Sequence, residues 1–287
     1  MLNGDCSRRY LLRVASLPLA APACLGVPQA WAAQPIRLGL TPVFLDDRLR
    51  LLQQWRDYLE AALDHPVEFV QRSTYAQILD GLRGGRIDFA WICGYPYVLH
   101  QQELALVAVP HWHGQPLYRS YLIAGADSAL RGVTELRGRT FAYSDPLSNS
   151  GFLYVQHLLR SQGLEPGRHF GRSFFTHSHR HVVDAVADGL ADAGAVDGYV
   201  WETLAEVQPQ LTRRTRVLHR SGLFGFPPIV AAPTTGAALR GRFQKALLGM
   251  DGSAAGRAVL AEMRLDRFAP ETPQLFRAIA AMAREQR

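Results

Sequence analysis

Apolar and polar positions along this chain alternate between two periods. PIRLGL, PVEFVQ and IDFAWI are short runs of strand type. Between them lie stretches with helical spacing: DDRLRLLQQWRDYLEAALD repeats its apolar positions at Leu49, Leu52, Trp55, Leu59 and Leu63, and STYAQILDGLRGG opens on a cap and closes on glycines. The alternation restarts at GRTFAYSDP and GFLYVQHLLRSQG, then at HRHVVDAVADGLADAG and AVDGYVWETLAEV. Strand and helix in turn predict an α/β fold with crossover helices. The restart favours two small lobes over one barrel. PLYRSYLIAG (116–125) and FPPIVAAPTT (226–235) combine strand-forming residues with Pro or Gly boundaries and are the expected crossings. This reading assigns 33–120 and 232–287 to lobe one and 121–231 to lobe two, with a two-crossing hinge that lets a cleft close.

The first 32 residues follow another logic. A basic start with Arg8 and Arg9 after Ser7, an apolar centre and an Ala30-Trp31-Ala32 ending form an export signal of twin-arginine type, with a periplasmic destination. Cys24 after Ala21-Pro22-Ala23 is a weaker processing option that would leave a lipoprotein tether. Cleavage after Ala32 removes three arginines and one acid, taking the net charge from +6 to +4. That excess suits an anionic partner, and the lack of a concentrated basic tract argues against nucleic acid. The 48% apolar content supports a packed core, and no later apolar run reaches the roughly 20 residues of a membrane span. Of three cysteines only Cys93 lies in the body, so no disulfide framework follows.

Chemistry concentrates at YSDPLSNSGFLYVQHLL, where hydroxyls, an amide side chain and a glycine run into a helix. Ser148, Asn149 or Ser150 can cap that helix. The same groups, with the converging amides at a helix start, can also hold an anion. THSHRHV sets His177, His179 and His181 at period two, on one face if the stretch is extended.

LGLTPVF, IDFAWICGYPYV, PLYRSYLIAG, YSDPLSNSG, THSHRHVVDAVADGLADAGAVDGYVW and FGFPPIVAAP together resemble the periplasmic phosphate/phosphonate-type substrate-binding proteins of ABC transport systems. The resemblance covers nearly all of the mature chain. It implies a two-lobed periplasmic binding protein that captures a small oxyanion or organic anion between its lobes and presents it to an ABC membrane component, or reports it to a membrane sensor. It implies hydroxyl donors at Ser148 and Ser150, facing amides at Asn149, Ser150 and Gly151, a phenol at Tyr95, an imidazole at His179 and a carboxylate at Asp197. Phe44, Ser73, Thr74, Tyr75, Cys93, Tyr199 and Trp201 are further candidates; Ser73 and Thr74 are equally explained as caps, and Tyr199 and Trp201 as an apolar wall. Asp197 resists a fully ionised phosphate unless a proton lies between the acids.

Two other readings compete. Cys93 with His111 or His113 could bind zinc or copper, but the spacing defines no four-ligand site. Ser148 or Ser150 with His179 and Asp197 could be named a hydrolytic triad, yet there is no GxSxG elbow and no phosphate loop. No metal or cofactor is implied, and binding without catalysis is the expectation.

Overall fold

A computed structural model describes residues 34–42 and 49–286. The export signal, both processing options and Phe44 lie outside the described residues. The chain runs β1 (Ile36–Leu40), α1 (Leu49–Leu63), β2 (Val67–Gln71), α2 (Tyr75–Arg83), β3 (Phe89–Trp91), α3 (Gly94–Leu99) and β4 (Ala105–His111). It continues through β5 (Leu117–Tyr118), β6 (Ser120–Gly125), β7 (Thr140–Tyr143), α4 (Tyr154–Ser161), α5 (Pro166–His169), β8 (Arg172–Phe175), α6 (His179–Ala187), β9 (Ala193–Asp197), α7 (Gly198–Val207), α8 (Pro209–Thr212) and β10 (Thr215–Arg220). It closes with β11 (Phe224–Gly225), β12 (Ile229–Ala231), α9 (Ala237–Leu248), α10 (Ala254–Met263), β13 (Arg267–Ala269) and α11 (Arg277–Arg284).

Two sheets result, one per lobe. The first has the order β13-β4-β12-β3-β1-β2, with β1 parallel to β2 and β3 and with β12 antiparallel to β3 and β4. The second has the order β10-β6-β9-β7-β8, with β7 parallel to β8 and β9. Between them β5 and β11 pair antiparallel, Tyr118 opposite Phe224, as a two-stranded ribbon that carries both crossings. Helix α1 forms because Leu52, Trp55, Leu59 and Leu63 make an apolar stripe that buries against the first sheet. Leu49, counted on that stripe by spacing, is 76% exposed, and Leu51 takes its place in the core. Phe89 and Phe243 stack at 3.9 Å between centroids, fixing α9 against β3. Among the described residues no helix is long and apolar enough to cross a membrane.

The lobe boundaries shift from the sequence expectation at one point. Residues 229–231, assigned by pattern to lobe two, form β12 between β3 and β4 of the first sheet. IVA is wholly buried, and a short apolar run says nothing about which sheet buries it. The histidine spacing also changes meaning. His177 sits in a loop at φ 59°, while His179 opens α6 and His181 lies in its first turn, so the three do not share an extended face. The fold brings the carboxyl ends of β1, β3, β7 and β9 to the cleft between the lobes, which is where ligands bind in open α/β sheets.

Candidate ligand-binding site

A small chamber lies between the lobes, lined by Tyr75, Trp91, Cys93, His179, Asp197 and Tyr199, and closed by Leu40, Thr41, Phe226 and Pro227. Its volume, traced by the centre of a water-sized sphere, is about 20 Å³, room for about one water molecule. Among the described residues no lysine or arginine lines it. Each wall is set by its own strand end. The Thr41 hydroxyl, just past β1, donates to the Trp91 carbonyl at 3.2 Å. The Trp91 indole, at the end of β3, donates to the Pro227 carbonyl at 2.9 Å. Tyr199 is held by its hydroxyl on the Met263 carbonyl at 2.6 Å and packs edge-on to Phe226.

The SNSG turn lies against the Cys93 side of this chamber. Ser148 caps it, its Oγ accepting from the Gly151 amide at 2.9 Å, and the Leu153 amide reaches back to the Ser148 carbonyl at 2.9 Å. That wide first turn, Asn149–Leu153, precedes α4. The Asn149 amide donates across the cleft to Cys93 Sγ at 3.2 Å, and its side-chain Nδ2 donates to the Tyr118 hydroxyl at 2.9 Å. Ser120 Oγ fixes the Ser150 carbonyl at 2.6 Å. Against this dense pairing Asn149 Oδ1 and Ser144 Oγ have no partner, and Ser150 Oγ has only the Tyr118 hydroxyl nearby, beyond good hydrogen-bond geometry. Leaving a buried polar group unpaired costs about 1–3 kcal/mol, so Ser144 and Asn149 keep hydrogen-bonding capacity that the fold itself does not use. Gly151 is required by close approach: a Cβ there would stand 1.8 Å from Ser144 Oγ.

Facing the turn are two groups with shifted protonation. His179 Nδ1 accepts the Asp197 backbone amide at 3.1 Å, which leaves the ring proton on Nε2, and burial pushes its pKa down to about 3. The imidazole is therefore a neutral donor at physiological pH. Asp197 caps α7, its Oδ1 accepting the Tyr199 amide at 2.9 Å. Burial pushes its pKa up to about 8 against the opposing amides of Tyr199 and Val200, with Glu202 adding to the rise. At neutral pH it is a carboxylic acid with a proton to donate. Burial likewise holds the Tyr75 and Tyr118 phenols well above their ordinary range, with Cys93 and Asp197 adding to it in both. The site is built of neutral hydrogen-bond donors, which suits an oxyanion without any cation beside it.

The family model for the periplasmic phosphonate substrate-binding protein of ABC transporters matches residues 38–276. The chain belongs to that family. It is 30% identical over 212 residues to the phosphate-import protein PhnD of Mycolicibacterium smegmatis, covering 67% of this chain and 66% of that one, so the match spans about two thirds of the relative's length. Among solved structures, the fold is shared with a binding protein component of an ABC phosphonate transporter from Pseudomonas aeruginosa (TM-score 0.81, 22% identity, 87% of this chain and 85% of that one). It is shared also with a Prochlorococcus marinus protein solved in complex with methylphosphonate (TM-score 0.78, 20% identity, 88% and 97%).

Within this family member the expected site residues fall into three groups. Ser148, Asn149, Ser150, Gly151, His179 and Asp197 are all buried; His179 and Asp197 line the chamber with Tyr75, Cys93 and Tyr199, while the 148–151 turn stands behind Cys93. Tyr95 lies one helical step away on α3; Cys93, two residues earlier, occupies the wall expected of it, with the Tyr95 amide directed at its sulfur. Burial raises the Cys93 thiol, which stays a neutral acceptor. The third group is used elsewhere. Thr74 caps α2, its Oγ1 accepting from the Gln77 amide at 3.3 Å, and the Ser73 amide bonds the Gln77 side chain. Trp201 leaves the cleft altogether: its indole donates to Thr215 Oγ1 at 3.1 Å and its ring meets Tyr121, because a helix sends positions 199 and 201 to different sides.

The competing chemistries can be judged on the same geometry. His179 Nδ1 is taken by the backbone of Asp197, and the Asp197 carboxylate by the Tyr199 amide, so the serine–histidine–aspartate relay is not formed. His111 pairs with Glu271 at 3.2 Å, and among the described residues no three metal-ligating side chains cluster. Sequence reasoning missed Leu40, Thr41, Trp91, Tyr118, Ser144, Phe226 and Pro227. A signal existed for two of them: Thr41 and Ser144 each follow a parallel strand directly.

Proposed function

We propose that this protein is the periplasmic receptor of an ABC importer and captures a small phosphonate or related phosphorus oxyanion by closing its lobes. The observation that supports this reading is a chamber lined by His179, whose Nε2 keeps its proton, and by the Asp197 carboxylic acid, with the buried 148–151 turn against its Cys93 wall. Oxygens of a phosphonate head match such donors, and the lobes must part to admit it, since the chamber as it stands has room for about one water molecule. The surrounding Leu40, Trp91, Phe226 and Pro227 favour a substituent that is small and apolar over one carrying an ammonium or a further oxygen. The twin-arginine signal would deliver the folded chain to the periplasm, with a lipid tether at Cys24 as the alternative. Its partner there is the membrane component of the transporter.

The test is calorimetry of the mature protein against methylphosphonate, phosphite, phosphate, 2-aminoethylphosphonate and sulfate, with solution scattering for compaction. Saturable binding of one or more phosphorus oxyanions, with the apolar-substituted ones tightest, is the expected result. Binding of none of them, or of sulfate alone, would remove the assignment.

A further inference from the structure

A groove of about 460 Å³ lies between the lobes, lined among others by Pro42, Arg72 and Ser73 from lobe one and by His177, Ser178 and His181 from lobe two. Groove and chamber adjoin at three points in the chain: Pro42 follows Thr41, Ser73 precedes Tyr75 by two, and Ser178 precedes His179. Among the described residues no acid lines the groove. Arg72 is exposed, and its guanidinium donates to the neighbouring Gln71 carbonyl at 2.7 Å. His181 is exposed, and the His177 ring is 45% exposed. Among the described residues Asp145 is buried beneath His177, whose Nδ1 lies 3.3 Å from its Oδ2, and it also accepts from the Leu147 and Tyr75 amides at 2.8 and 3.2 Å.

The chamber itself cannot attract an anion from a distance. Its donors are neutral, hydrogen bonds act only at contact, and Asp197 repels an anion whenever it ionises. A charge at the mouth acts over a Debye length of about 8 Å at physiological salt and much farther at low salt. We propose that the groove is a capture site for small oxyanions, in which Arg72, with the His177 and His181 rings as further donors, collects the anion at the open mouth before closure passes it to the chamber. This inference rests on the oxyanion reading above and assigns the groove a kinetic part in it. Steering of this kind raises association rates and leaves dissociation largely alone.

The experiment is stopped-flow binding of methylphosphonate, or of the tightest oxyanion found by calorimetry, followed by intrinsic tryptophan fluorescence, to which Trp91 at the chamber wall contributes. Arg72 is exposed, so Arg72→Gln keeps the fold, and Arg72→Lys keeps the charge. For a dianion passing at about 7 Å, Arg72→Gln should slow association about three- to fivefold near 10 mM ionic strength and by much less at high salt. Dissociation should be unchanged, and Arg72→Lys should behave as wild type. Equal association rates for wild type and Arg72→Gln at low salt would overturn the capture site, as would a loss confined to dissociation and independent of salt. A wild type that binds no oxyanion would instead overturn the functional reading, and this inference with it.

Discussion

Replacing Asp197 by Asn tests the central feature of the site, a carboxyl kept protonated by burial. Asn has nearly the same shape, can accept the Tyr199 amide with its oxygen and can donate into the cleft with its NH₂, so it imitates the acid and not the carboxylate. The pKa of Asp197 rises from an ordinary 3.8 to about 8. Between those values the closed native state holds a proton that the unfolded chain has lost, so stability falls as pH rises through the window from about 4 to 8 and is level above it. At about 1.36 kcal/mol per unit the ceiling is roughly 6 kcal/mol. Opening of the cleft relieves the strain first, so unfolding should register only part of it. For binding, the acid must stay protonated to donate to an oxyanion. Wild-type affinity should therefore fall about tenfold by pH 9 relative to D197N, whose affinity should stay close to wild type at pH 7. Calorimetry of both proteins with the same phosphonate from pH 6 to 9, in buffers of different ionisation enthalpy, cancels the ligand's own titration and reads proton uptake directly. Parallel pH profiles with equal proton uptake would refute a protonated Asp197. So would a loss of about a hundredfold in D197N at every pH, which would mean that the ionised carboxylate accepts from the ligand.

Three further outcomes follow from contacts of the same turn. Ser148→Ala removes the cap on Gly151 and should lower stability by about 0.5–2 kcal/mol, whereas Ser150→Ala removes a hydroxyl that caps nothing and should leave thermal stability largely intact while weakening oxyanion binding by about 1.5–3 kcal/mol; equal effects of the two on both readouts would defeat the distinction. Gly151→Ala should lower the melting temperature, since its Cβ meets Ser144 Oγ and Cβ at 1.8 and 2.7 Å, and Ser144→Gly in the same chain should recover much of the loss; no recovery would place the strain elsewhere. Asp145→Ala deletes an acceptor that ties lobe two to the first amide of α2, so the ligand-free protein should expand in solution scattering relative to wild type, and an unchanged radius would show that this bond does not hold the lobes together.

Local pattern was enough for much of this molecule. Helix α1, the capped α2, the strands that end at Leu40, Trp91, Tyr143 and Asp197, and the polar turn at 148–151 are written in periodicity and capping chemistry, which act over a few residues. The anion-suited turn and the candidates His179 and Asp197 came from that pattern joined to the family resemblance. What tertiary structure alone decided is how those groups are paired and protonated. His179 is a neutral donor because the amide of Asp197, 18 positions on, occupies its other nitrogen; Cys93 is an acceptor because Asn149 meets it from 56 positions away; and Asp145 reaches Tyr75 across 70. The same holds for misplaced expectations: β12 joined the first sheet and Trp201 turned outward because burial partners, not local spacing, choose among equally apolar positions. Desolvation of Asp197 depends on every wall of the closed chamber at once, and those walls come from strand ends and a ribbon far apart in the chain.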